Sequence, residues 1–236
     1  MNLIRFTGMA TCLVLSACST FSEHVDTDDS LMGYLSTDQR KPIDNAQHEH
    51  DRRSYELATA RQHVDLATKE LVVSNKELAL AEARVDKAEA LVEVAETGTT
   101  EDLADSREEF RVIQASTVPQ RELVRWHECE VARREQAETL AKRSMELSGA
   151  RMDLEKARAF LEVDQASARH IDVGANEAHV REAEKRTSLA EVELEAATLE
   201  CTVAKRRYDE AKLRTITKMT TLGAFSMAEV LPASRY

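Results

Sequence analysis

Four cysteines and seven histidines are the reactive side chains of this sequence, and their spacing decides what they can do. In Arg125-Trp126-His127-Glu128-Cys129-Glu130 a thiol, an imidazole and two carboxylates crowd together. Ligands on a helix must lie three or four residues apart to share a face, and only His127 with Glu130 meets that demand. In His48-Glu49-His50-Asp51, His48 and Asp51 converge but lack a third ligand, so both clusters read as polar helix surface and no metal site is expected. Asp26, Asp28 and Ser30 echo a calcium loop, but Leu31 stands where Gly is needed and Thr37 where a bidentate Glu is needed. No Gly-rich phosphate loop, nucleophile elbow or HExxH pattern occurs. The expected catalytic and cofactor-binding residues are therefore none, and no cofactor is implied.

Cys18 belongs to a different chemistry. Residues 1 to 18, MNLIRFTGMATCLVLSAC, carry one basic residue, Arg5, then an apolar stretch too short to span a bilayer and a small-residue end. Leu15-Ser16-Ala17-Cys18 resembles the lipobox of bacterial lipoproteins, with the cysteine directly after the small pair. That resemblance covers only the amino terminus. It implies cleavage before Cys18, a diacylglycerol thioether on its sulfur and an acyl chain such as palmitate on its amine. Several acyl chains in one leaflet anchor stably, because each buried methylene contributes about 0.8 kcal/mol. Ser19, rather than Asp, after the acylated cysteine resembles the outer-membrane sorting pattern, which implies an anchor facing the periplasm.

Cys129 and Cys201 would then reside where disulfides can form. If the chain reverses at Gly174, the residue opposite Cys201 is near position 147, roughly 27 Å along the axis from Cys129. Cα atoms more than about 7 Å apart cannot be bridged. An intrachain bond is therefore not expected, Cys201 reads as a small seam residue, and Cys129 is left to cross-link two chains.

The elements that must carry these residues follow from composition and period. The 236 residues are 32% charged and only 4% aromatic, with a formal net charge of -11. Such a chain has too few bulky side chains for a round core and fits the long-helix class. The acidic balance opposes nucleic-acid binding, which Lys and Arg drive by neutralising phosphates. Residues 18 to 44 form the acylated cysteine and a flexible linker, since Ser, Thr and Asp with scattered apolars cannot offset ordering entropy. At Ile43-Asp44-Asn45-Ala46-Gln47 a capping box with a staple predicts the first helix start.

From there a heptad period sets in. Leu57, Val64, Leu71, Leu78, Val85 and Val92 alternate with Ala60, Ala67, Ser74, Ala81, Ala88 and Ala95 three positions later. A second line, Leu66, Val73, Leu80 and Val94, broken by Lys87, predicts that this helix touches two neighbours. The middle segment sets Leu140, Leu147, Leu154 and Leu161 on one line and Met145, Met152, Ala159, Ala166 and Val173 on another. The last pairs Ala183, Ala190, Ala197, Ala204 and Ala211 with Val180, Thr187, Leu194, Cys201 and Tyr208.

Turns are expected at Thr97-Gly98-Thr99, Ser116-Thr117-Val118-Pro119 and Asp172-Val173-Gly174-Ala175-Asn176. They divide the 45–217 rod into helices near 45–97, 100–116, 119–172 and 176–217. Outward acid-first pairs such as Asp65 to Lys69 and Glu138 to Lys142 imply solubility rather than a site. The 218–236 tail, with Met219, Phe225 and Leu231, reads as a cap over the rod's open apolar seam or, alternatively, as an exposed peptide for a partner.

The expected fold class is all-α, an elongated antiparallel coiled-coil bundle. The expected function is non-enzymatic: a membrane-anchored lipoprotein acting as a cell-envelope spacer or scaffold. The alternative is an adaptor or regulatory subunit of an envelope complex such as secretion, efflux or motility machinery. Expected partners are the membrane, through acyl chains on Cys18, and a protein partner or a second copy, through the coiled-coil seams.

Overall fold

A computed structural model describes residues 29–163 and 171–221. The leader, Cys18, the faint calcium loop's Asp26 and Asp28, and the tail from 222 onward lie outside the described residues. A short 3-10 helix, Asp29–Tyr34, precedes three long helices: α1 (Thr37–Ala95), α2 (Thr100–Val163) and α3 (Val173–Thr221). They run antiparallel, and the described residues contain no strand. At 1.5 Å per residue the 64-residue α2 is about 96 Å long. Both α1 and α3 pack along α2 while scarcely touching each other, so the rod is an open array with α2 in the middle.

The predicted seams are the packed ones. On α1, Leu57, Ala67, Ser74 and Ala88 are buried, with Val64, Leu71, Leu78 and Val85 half-buried between them. On α3, Val180, Ala183, Thr187, Ala190, Cys201 and Ala211 are buried, with Leu194, Ala197, Ala204 and Tyr208 half-buried between them. Ala150 and Leu154 of α2 meet Val180 and Ala183 of α3 in one apolar cluster. Small residues on one line allow the axes to approach closely, and the larger line fills the space beside them. The turn at Thr97-Gly98-Thr99 is as predicted. Gly98 N–H donates to the Ala95 carbonyl (3.0 Å), and Thr99 Oγ1 accepts from Asp102 N–H (3.1 Å) to start α2. Hydrogen bonds from the Thr99 hydroxyl and N–H hold the Asp102 carboxyl below its ordinary pKa.

Four expectations are corrected. The first helix starts at Thr37, not near 45, because Ser36 and Gln39 form the capping box: Gln39 N–H donates to Ser36 Oγ (3.4 Å) and Gln39 Oε1 accepts from Ser36 N–H (3.0 Å). The described end of the expected linker is thereby ordered. Leu35 and Ile43 pack with Ala159 and Phe160 of α2, which offsets the ordering entropy that the linker reading assumed unpaid. Second, among the described residues the outer line of α1 meets no second helix, and Leu66, Val73, Leu80 and Val94 are all exposed.

Third, α3 begins at Val173, with Gly174 and Asn176 inside its first turn rather than before it. Asp172 is the cap, its carboxylate accepting from Ala175 N–H (2.9 Å).

Fourth, α2 runs unbroken through Pro119. A proline inside a helix removes the N–H that would serve the carbonyl four residues earlier, here Ala115. The buried Thr215 of α3 takes that place, donating its hydroxyl to the Ala115 carbonyl (3.3 Å). Thr117, expected as a cap, is instead buried and donates back to the Gln114 carbonyl (2.8 Å).

The acid-first surface pairs Asp65–Lys69, Glu130–Arg134, Glu182–Arg186 and Glu210–Arg214 form, while Glu138 accepts from Arg61 of α1 (3.1 Å) instead of pairing with Lys142. Exposed pairs of this kind contribute at most about 1 kcal/mol each.

The proline account has a measurable consequence. Thr215→Val should lose about 1 kcal/mol in urea unfolding, the net worth of a part-buried hydrogen bond. In a Pro119→Ala background, where residue 119 regains an N–H for the Ala115 carbonyl, the same substitution should cost measurably less. Equal costs in the two backgrounds would contradict the coupling.

Candidate functional site

The densest group of chemically distinctive side chains lies at the middle of the α2–α3 contact. Cys129 of α2 and Cys201 of α3 are disulfide-bonded, with Cα atoms 5.3 Å apart. This overturns the expectation that no intrachain bond would form. The bonded pair, the Thr187 hydroxyl on the Arg143 carbonyl and the Thr215 hydroxyl on the Ala115 carbonyl are all symmetric about position 165. That midpoint falls nine residues before Gly174, so the residue opposite Cys201 moves by eighteen, from 147 to 129. Cys201 is a seam residue, as expected, and also half of the cross-link.

Around the disulfide the aromatic side chains gather. Trp126 stacks on the adjacent His127 (ring centroids 5.0 Å apart) and on Tyr208 of α3 (5.9 Å). Lys205 Nζ lies over the Trp126 ring, 5.5 Å from its centroid, where the negative face of the ring attracts the ammonium. Tyr208 is on the buried line of α3, and Trp126 meets it from α2, one helical turn before Cys129. The arrangement holds the two helices covalently and by stacking at one level of the rod.

His127 faces α1 from this level. Its side chain is only 15% exposed, and its Nδ1 sits 4.0 Å from Glu70 Oε2 without a hydrogen-bond partner. Burial lowers its pKa below the ordinary histidine value of 6.5, against opposing pulls from Glu70, Glu130 and Glu77. Glu130, the only residue spaced to share a metal with His127, is taken up by Arg133 (2.7 Å) and Arg134 (3.8 Å). Asp51, the companion of His48, accepts from Gln47 Nε2 (2.8 Å). His50, not His48, reaches across to α2, with Nδ1 3.2 Å from the Ser148 hydroxyl. Among the described residues no three His, Cys, Asp or Glu side chains converge on a point where a metal could sit.

A cleft of about 380 Å³ opens between α2 and α3 beside Pro119, bordered by Val118, Glu122, Arg207, Arg214 and Thr215. Its hydroxyl, Thr215, is held on the Ala115 carbonyl, so it is not poised as a nucleophile. The redox-active group among the described residues is the disulfide, which a two-electron reductant would open to two thiols. Sequence reasoning missed the disulfide and the Trp126–Tyr208 stack. The available signal was the cysteine pair itself: requiring Cys129 and Cys201 to meet would have set the register without reference to Gly174.

No protein-family model, curated protein or solved structure matches the chain.

The bond closes a segment of 72 residues, which in the chain-entropy model stabilises by about 4 kcal/mol. Cys129→Ser with Cys201→Ser should therefore lose about 2 to 4 kcal/mol in urea unfolding, and dithiothreitol should weaken the unaltered chain equally while leaving the variant unmoved.

His127 adds a pH dependence. Its folded pKa lies below its unfolded value, so the unfolded chain binds the proton more readily. The contribution is complete above the unfolded pKa of about 6.5 and is lost as pH falls below it toward the folded pKa. His127→Gln should flatten that part of the stability profile between pH 7 and 5. An unchanged slope would remove His127 as its source.

Proposed function

We propose that this chain is a lipid-anchored, non-enzymatic rod of the bacterial cell envelope, acting as a spacer or scaffold. Cys18, at the end of Leu15-Ser16-Ala17-Cys18, supplies the anchor. Export delivers the rod to an oxidising compartment, the outer membrane's periplasmic face being the destination that Ser19 favours.

The observation that carries the reading is the agreement between two independent cysteine signals. The lipobox-like end of the leader implies export, and Cys129 with Cys201 are placed as a disulfide, a bond that persists in exported proteins and is rare in a reducing cytosol. Neither signal depends on the other. The architecture suits a spacer, since three long helices give extension without a concave pocket lined by convergent catalytic groups. None of the described helices is long and apolar enough to cross a membrane, so attachment falls to the acyl chains.

The adaptor reading has one observation in its favour: apolar side chains remain on the outer faces of α1 and α3, such as Leu80 at 58% and Leu199 at 62% exposure. Unpartnered lines of this kind suit docking to another helix. Scaffold and adaptor thus differ in what the outer faces meet, not in how the rod is held.

Radiolabelled palmitate fed to expressing bacteria should label the chain, and Cys18→Ser should abolish the label and leave a larger, uncleaved form. Label retained after Cys18→Ser, or a reduced Cys129 and Cys201 in freshly trapped cells, would refute the envelope assignment. A pull-down with the anchored chain then separates the two roles: a defined membrane complex indicates an adaptor, and peptidoglycan a spacer.

A further inference from the structure

The buried line of α3 has a counterpart on the opposite side. Leu189, Val192, Ala196, Leu199 and Val203 follow one another at steps of three and four, and Leu213 continues the line after Arg206 and Glu210. All five of its large apolar residues are 50 to 65% exposed. On a helix of 3.6 residues per turn this second seam lies about 150° from the one packed on α2. One helix therefore carries two coiled-coil seams, and α2 covers only one.

The charges beside the uncovered seam are segregated. Residues 189 to 200 carry Glu191, Glu193, Glu195 and Glu200 and no basic side chain, a net charge of -4. Residues 201 to 218 carry six Lys or Arg and two acids, a net charge of +4. A helix that is acidic in one half and basic in the other, with an apolar line through both, is complementary to itself when reversed. The outer line of α1 differs: Leu66, Val73 and Leu80 stand seven apart, with Lys69, Glu70, Lys76 and Glu77 between them in mixed order. It has neither a full seam nor a charge gradient.

We propose that the outer seam of α3 binds the same seam of a second copy, antiparallel, about a two-fold axis near Val203. Positions flanking an antiparallel seam meet their equivalents, so Glu193 faces Arg214 of the second copy and Glu200 faces its Arg207, each pair occurring twice. A parallel arrangement would instead set the four glutamates of each copy side by side. Arg206 and Glu210, four residues apart within the seam, interrupt its apolar run and keep the dimer salt-sensitive. This goes beyond the spacer reading without resting on it, because neither the seam nor its charges depend on acylation.

Cysteine cross-linking in membranes of cells expressing the full chain tests it. One tagged copy carries Glu193→Cys, a differently tagged copy carries Arg214→Cys, and the unaltered chain controls for Cys12 and Cys18. Mild oxidation should join the two tags, whereas either substitution expressed alone should give no more cross-linking than the unaltered chain. Leu199→Glu with Val203→Glu should abolish the cross-link and weaken the dimer on the order of a hundredfold by sedimentation in nonionic detergent, with helicity by circular dichroism retained. Leu66→Glu with Leu80→Glu on α1 should change neither.

Reversing Glu193 and Glu200 to Arg should weaken the dimer at least about tenfold, and adding Arg207→Glu with Arg214→Glu should restore it. Cross-linking of 193 to 193, a monomer at all concentrations, or a dimer lost through the α1 substitutions would each overturn the proposal. Acyl labelling at Cys18 is scored separately, so loss of the envelope reading would not be mistaken for loss of the dimer.

Discussion

Every other part of the rod depends on α2 serving two partners at once. A single helix with one apolar stripe can hold one neighbour, but α2 is flanked along its length by α1 and α3, which scarcely touch each other. It must therefore present suitable surface on more than one side, and few of its residues from 131 to 160 are fully exposed. The outer helices answer with thin seams of alternating small and large side chains, which bring their axes close. That division explains why α1 and α3 can be polar over most of their circumference, and why so little of the chain is fully buried. It also explains the need for a covalent tie: a narrow contact gains little hydrophobic stabilisation per residue, and Cys129–Cys201 reinforces it at mid-length.

Much of this was legible in the residues. Period alone identified the contact lines of α1 and α3, because a seven-residue repeat of Leu or Val with Ala three places on has few other solutions. Gly98 between two threonines marked the first reversal, since local hydrogen bonds suffice to end one helix and cap the next there. Punctuation was less informative where tertiary contacts override it. Pro119 reads as a break only if the carbonyl it strands has no other donor, and that donor, Thr215, is a hundred positions away. Asp44 with Gln47 and Ser36 with Gln39 are equivalent capping patterns on paper. The choice between them was made by Phe160, which draws Leu35 and Ile43 into one cluster.

The site was legible in type but not in position. Cys201 was recognisable as a seam residue and Cys129 as a candidate for a cross-link between chains, yet their pairing with each other required the α2–α3 register, and no local hydrogen-bonding signal fixes a register between two helices. Cys18 stands on the other footing: its meaning lies wholly in its neighbours Leu15, Ser16 and Ala17 and needs no fold. The functional reading joins the two, taking its compartment from the leader and its mechanical character from the helices.

The number of helices has a geometric consequence. With three antiparallel passes, Asp29 and Thr221 emerge at opposite tips. The two ends of the described chain are thus nearly a full rod apart, roughly 90 Å. A two- or four-helix version of the same seams would return both termini to one tip and forfeit that separation. Odd-numbered folding gives the described helices two unlike tips, one where the chain enters and one where it leaves.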